Sequence, residues 1–116
     1  MKYVFIIVCI ISFILFNVND SYSRRGRKVA RELIMESTAY CDGEVTATGT
    51  KPSMGTVAVD PSVIPFGTEL HIEGYGFGVA EDTGSSIVGN KIDVFHYDRD
   101  WCYKWGRRKV KVKIYE

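Results

Sequence analysis

Residues 68–73, 91–97 and 107–115 alternate apolar and polar side chains with a period of two. Leu70 and Ile72 oppose Glu69, His71 and Glu73. Ile92 and Val94 oppose Asp93 and Phe95. Val110, Val112 and Ile114 oppose Lys109, Lys111 and Lys113. A period of two is the strand's own, because successive side chains leave opposite faces. All 11 glycines lie after residue 24 and punctuate these runs, as in Asp42-Gly43, Pro65-Phe66-Gly67 and Gly74-Tyr75-Gly76-Phe77-Gly78. Further strands are predicted over 33–40, 56–60 and 77–82, with a short extended piece at 45–49. Asp98 is placed to cap a short helix reaching about Trp105, closed by Gly106. The expected fold is mainly β: six or seven strands and one short helix in a small barrel.

The first residues stand apart from this pattern. Met1 and Lys2 precede 14 residues, Tyr3 to Phe16, interrupted only by Ser12. As a helix that run spans about 21 Å, short of the ~30 Å hydrocarbon core. It suits a secretory signal, with Ser21-Tyr22-Ser23 offering small residues for cleavage; an uncleaved anchor is the alternative. Residues 1–23 are thus expected to be a signal peptide or membrane anchor, with residues 3–16 the tether if uncleaved. Residues 24–32 read as a basic linker and 33–116 as one domain, working outside the cytoplasm. Cys41 and Cys102 remain after the signal and are candidates for one disulfide. Their spacing with His71 and His96 matches no metal motif, so neither a metal nor a cofactor is expected.

A net charge of +1 conceals segregation. Residues 24–31 hold five basic side chains and no acid, and residues 101–116 hold six against Glu116. Residues 32–100 carry 12 acids against Lys51, Lys91 and Arg99, which makes the middle −9. Basic ends suit an anionic polymer such as bacterial cell wall, or simply solvated strand faces. No aromatic-interleaved groove argues for nucleic acid.

Three aspartates sit beside β-branched runs: Asp60 in AVDP, Asp82 in EDTG and Asp93 in KIDVF. Asp60 and Asp82 flank Pro61 and Gly84 and could be turn residues. Asp93 lies mid-strand, where aspartate is disfavoured. A carboxylic acid kept neutral by a dry setting or a neighbouring carboxylate can protonate a glycosidic oxygen. Three acids in a small exported domain therefore fit acid-assisted cleavage of a sugar polymer. Asp82-Thr83-Gly84 also reads like the turn of a dimeric aspartic protease. That reading leaves Asp60 and Asp93 idle and lacks a later apolar-apolar-Gly segment at a workable distance.

At these residues the chain resembles a known family. The motifs are Thr46-Ala47-Thr48-Gly49-Thr50, the run from Gly55 to Pro61, Ile64-Pro65-Phe66-Gly67-Thr68, and Ala80-Glu81-Asp82-Thr83-Gly84. The run from Ile87 to Phe95 and Trp105-Gly106-Arg107-Arg108 complete them. Together, over roughly 36–115, they resemble the 3D domain, named for three aspartates. The resemblance implies a six-stranded double-psi β-barrel related to the catalytic barrel of MltA-type lytic transglycosylases. It also implies a wall protein of the YuiC kind in a Gram-positive bacterium, secreted or membrane-tethered. The implied substrate is the MurNAc–GlcNAc bond of peptidoglycan glycan strands, cleaved without water to leave 1,6-anhydroMurNAc. Asp93 is then the acid that becomes the base, Asp82 its electrostatic partner, and Asp60 a third member or an orderer of the cleft. Thr38, Tyr40, Thr83, Gly84 and Lys91 are the expected substrate contacts. Residues 98–104 depart from the family's usual helix, and only Cys41 remains of a cysteine-rich insert found in some members. A wall- or glycan-binding barrel without catalysis is the rival expectation; it would not need the complete set of aspartates.

Overall fold

The computed structural model describes residues 28–116. The expected signal or anchor, including the tether at 3–16, and the first residues of the linker lie outside the described residues. Six strands and one helix follow: β1 Val29–Tyr40, β2 Thr56–Ala58, β3 Glu69–Ile72, β4 Gly76–Asp82, β5 Lys91–Phe95, α1 Arg99–Trp105 and β6 Arg108–Tyr115. They close a barrel in the order β1-β5-β2-β4-β3-β6, with β6 returning to β1. Two pairs are parallel, β1 with β5 and β2 with β4; the other four are antiparallel. The mainly β barrel with a single short helix is the architecture expected from the alternation.

The apolar half of each alternating run fills the barrel. Met35, Val57, Val59, Leu70, Ile72, Ala80, Ile92, Val94, Val110, Val112 and Ile114 form one buried cluster with Ile64 and Trp105. Each such aliphatic side chain contributes about 1.5–3 kcal/mol on leaving water. Gly78 is required by close approach, since a Cβ there would sit 2.7 Å from Val57 Cγ2 and 2.8 Å from the Gly55 carbonyl oxygen. Helix α1 is capped by the Asp98 carboxylate, which accepts from the Asp100 N–H at 3.0 Å, and ends on Gly106 at φ 59°. It docks through Trp105, whose indole N–H donates to the buried Ser37 hydroxyl at 3.1 Å.

Two expectations change. Strand β1 begins at Val29, so residues 29–32, assigned to the linker, are strand. Val29 pairs with Tyr115 and Leu33 with Val112, and this ladder orders a segment whose side chains stay largely in water. The piece at 45–49 is a turn. Thr46 N–H donates to the Thr50 carbonyl at 2.7 Å, and the two hydroxyls bond at 2.7 Å, so threonine side chains replace a ladder partner.

Candidate active site

The barrel wall β1-β5-β2-β4 carries one row of facing residues: Thr38 pairs with Asp93, Asp93 with Ala58, and Ala58 with Asp82. Strands lie ~4.8 Å apart, so the two aspartates start about 10 Å apart at their Cα atoms, one strand between them. Alanine is the residue between them. Ala58 is 3% exposed yet does not belong to the core cluster. Its side chain is a single methyl, so the spacer between the two aspartates is as small as a residue with a Cβ can be. The row depends on a β-bulge. Val57 pairs with Ala80, but the next residue, Ala58, pairs with Asp82, so Glu81 is skipped. Bulges re-aim side chains next to active sites, and this one moves Asp82 into line with Asp93.

Asp93 is half-buried and accepts a hydrogen bond from the Thr38 hydroxyl at 3.0 Å. Burial pushes its carboxyl above the ordinary value, the Thr38 hydrogen bond opposes this, and the charge of Asp82 adds to the rise. Asp82 is surrounded differently. Its Oδ1 accepts the N–H of Ala47 at 3.0 Å and of Thr83 at 2.8 Å, and its Oδ2 accepts the Tyr40 hydroxyl at 3.2 Å. Burial, then the charge and hydrogen bond of Asp82, raise the Tyr40 phenol far above its usual value, so it remains a protonated donor. The Tyr40 ring meets Phe95 edge-on at 5.4 Å, which fixes it at the end of the row.

Asp60 is built into a turn. It accepts from the Ser62 hydroxyl at 2.6 Å, the Ser62 N–H at 3.0 Å and the Gly89 N–H at 2.8 Å. The Gly89 bond is the chief cause of its lowered pKa, followed by the Ser62 hydroxyl and N–H. It ties the loop after β2 to the loop before β5, so its geometry is that of the turn residue weighed from Pro61. Of the expected contacts, Thr38 and Tyr40 touch the two aspartates. Thr83 supplies a backbone donor to Asp82, Gly84 follows in the exposed loop, and Lys91 lies exposed two residues before Asp93. The Ala47 donor and the spacer Ala58 were not singled out; the threonine run around Ala47 was the available signal for the first.

A cavity of about 260 Å³ adjoins Tyr40, lined by Ala39, Cys41, Asp42, Arg99, Cys102 and Tyr103. Cys41 and Cys102 are free thiols facing it. Burial pushes the Cys102 thiol up, and its Sγ contacts the His96 carbonyl at 3.6 Å. His71 packs edge-on against Phe77, whereas His96 stacks on Trp101. Among the described residues no group of three His, Cys, Asp or Glu side chains could hold a metal ion, and no helix is long and apolar enough to cross a membrane.

Known proteins share this chain's sequence family and its fold. The family model of the 3D domain matches residues 55–116. YabE of Bacillus subtilis (strain 168), named for cell wall shaping, is 45% identical over 102 residues, 79% of this chain and 25% of YabE. The cell wall-binding protein YocH of the same organism is 41% identical over 97 residues, 76% of this chain and 34% of YocH. The chain thus spans a quarter to a third of the length of these relatives. In fold it is similar to MltA from E. coli, with a TM-score of 0.53 at 22% identity over 66% of this chain and 29% of MltA. It is also similar to the Streptomyces papain inhibitor, with a TM-score of 0.58 at 15% identity over 76% of this chain and 97% of the inhibitor. The matched segment contains Asp60, Asp82 and Asp93 in their motifs, and on it and the YabE identity the chain belongs to the 3D domain family.

Proposed function

We propose that the chain is a peptidoglycan lytic transglycosylase that acts outside the cytoplasm on the glycan strands of a bacterial wall. The observation that carries this reading is the row Thr38–Asp93–Ala58–Asp82, in which two identical residue types meet opposite surroundings. Asp93, with its raised pKa, is the acid: its proton goes to the glycosidic oxygen as the bond to C1 of MurNAc breaks. The oxocarbenium-like sugar faces Asp82, whose carboxylate is held in place by Tyr40, Ala47 and Thr83. Asp93, now a carboxylate, takes the proton from the C6 hydroxyl, and O6 closes on C1. The 1,6-anhydro ring forms, Asp93 is protonated again, and no water is consumed. Asp60 orders the cleft from its turn.

The wall-related names of YabE and YocH and the shared fold with MltA support this reading. A non-catalytic wall-binding barrel is the alternative, favoured by the name of YocH and by an inhibitor having the same fold. Purified full-length protein incubated with peptidoglycan, with the muropeptides separated and weighed, decides between them. Anhydro-muropeptides are expected, reduced about 10²- to 10⁴-fold by Asp93→Asn. Reducing-end products would mean hydrolysis, and binding without products would leave the alternative.

A further inference from the structure

On the far side of Asp93 from Tyr40 lies a second, smaller recess. Its volume is about 50 Å³, and Glu36, Thr38, Ser86, Ile87, Lys91 and Arg107 are among the residues that line it. That is several times the ~10–15 Å³ one water needs and far below the ~300 Å³ of an ordinary ligand pocket. It has room for a substituent, and a sugar ring does not fit. Its charge is the reverse of the aspartate row. Glu36 stands opposite Lys91 on β5 and Lys109 on β6, and Arg107 Nη1 lies 3.5 Å from Glu36 Oε1. Two cations, Lys91 and Arg107, therefore line the recess against one acid, Glu36. Lys91 is two residues from Asp93 along β5, about 7 Å on the same face, and Thr38 both lines the recess and donates to Asp93.

From this placement we infer that the recess is a carboxylate subsite that reads the acidic branch on O3 of MurNAc while Asp93 attends to the neighbouring glycosidic oxygen. The inference rests on the glycan reading of the row and adds what that row cannot supply, discrimination between peptidoglycan and an unbranched GlcNAc polymer. A cationic recess beside an otherwise acidic groove repays a ligand only where the ligand carries negative charge at that spot. In peptidoglycan that spot is the lactyl group, which carries a carboxylate when bare and carries the acidic peptide stem when substituted. Glu36 now competes with such a ligand for the Arg107 guanidinium.

The test uses the full chain carrying Asp93→Asn, so that glycan is held uncut, and three glycans of matched length. One bears stems, one is stripped by an amidase to free lactyl carboxylates, and one is stripped and then capped with methylamine to remove the charge. Both anionic glycans are expected to bind more tightly than the capped one. Added Arg107→Gln weakens anionic binding about three- to tenfold, and Glu36→Gln tightens it. Neither substitution moves the capped glycan. A preference for the stripped over the stem-bearing glycan assigns the ligand to the lactyl carboxylate, and the reverse assigns it to the stem. Equal affinity for charged and capped glycans, equal losses on all three, or no glycan binding at all overturns the subsite. Cleavage by the unmodified protein is scored separately. Charge-dependent binding without anhydro products removes the transglycosylase reading and keeps the recess.

Discussion

Ala58 is the least conspicuous member of the row, and replacing it tests the row most directly. Ala58→Val keeps a residue suited to a strand, so the backbone of β2 is not the target. The valine adds two methyl carbons at a position that is 3% exposed, between strands whose ladders already pair Ala58 with both Asp93 and Asp82. Overpacking of this kind costs about 1–3 kcal/mol. For a domain of this size each kcal/mol lowers Tm by roughly 4–8 °C. The catalytic loss is expected to exceed the stability loss, because a displacement of about 1 Å between acting groups can cost ~10²-fold. The assay pairs a thermal melt with the initial rate of anhydro-muropeptide release, measured at least 15 °C below the variant's own Tm. Ala58→Ser serves as the smaller step if the valine variant fails to fold. A folded Ala58→Val protein with wild-type rate would refute the claim that Asp93 and Asp82 act together across this spacer.

Two further outcomes follow from individual groups. Asp93 has a folded pKa above its unfolded value, so the folded state holds the proton longer; stability is therefore full below the unfolded pKa and is lost as pH rises through the folded one. Asp93→Asn removes that loss and keeps an acceptor for Thr38. Urea unfolding should show the variant gaining on wild type at pH 7 and the gain shrinking at pH 3, and a pH-independent difference would contradict the assignment. Ser37→Ala leaves the buried Trp105 indole N–H without its 3.1 Å partner. The cost should be about 1–3 kcal/mol in denaturant midpoint, with Trp fluorescence following the loosening of α1; an unchanged midpoint counts against the hydrogen bond as the dock of the helix.

The parts of this fold that were legible in the sequence are those where a repeated local preference and burial agree. Leu70 and Ile72, Ile92 and Val94, and Val110 through Ile114 alternate because one face is core, and they became β3, β5 and β6. Asp98 and Gly106 marked α1 because caps are local chemistry. Residues 29–32 were not legible, since their strand is imposed by β6, 80 or more residues away, and their own side chains face water. The same limit explains the site. Asp93 stood out because an acid in the middle of an alternating run needs a reason. Ala58 reads as ordinary core in any apolar strand. The bulge that aligns Asp82 is a property of the β2–β4 pairing and has no signature in either strand alone.

In the proposed reaction, the asymmetry between the two aspartates is what would make a single acid sufficient. Hydrolysis by two carboxylates needs a second group to deliver water or to attack the sugar. Ring closure uses the substrate's own hydroxyl instead, so one residue can give a proton and then take one back. Such a residue must hold its proton in the resting protein, and partial burial together with the nearby Asp82 charge shifts the Asp93 carboxyl in that direction. The nearby charge must not itself drift, and Asp82 is fixed by two backbone donors and a phenol from three different segments. Exchanging the two environments would exchange the roles. Removing the Tyr40 hydroxyl alone, by Tyr40→Phe, should leave Asp82 in place on its two N–H donors and reduce rate more than binding, which separates positioning of the charge from recognition of the glycan.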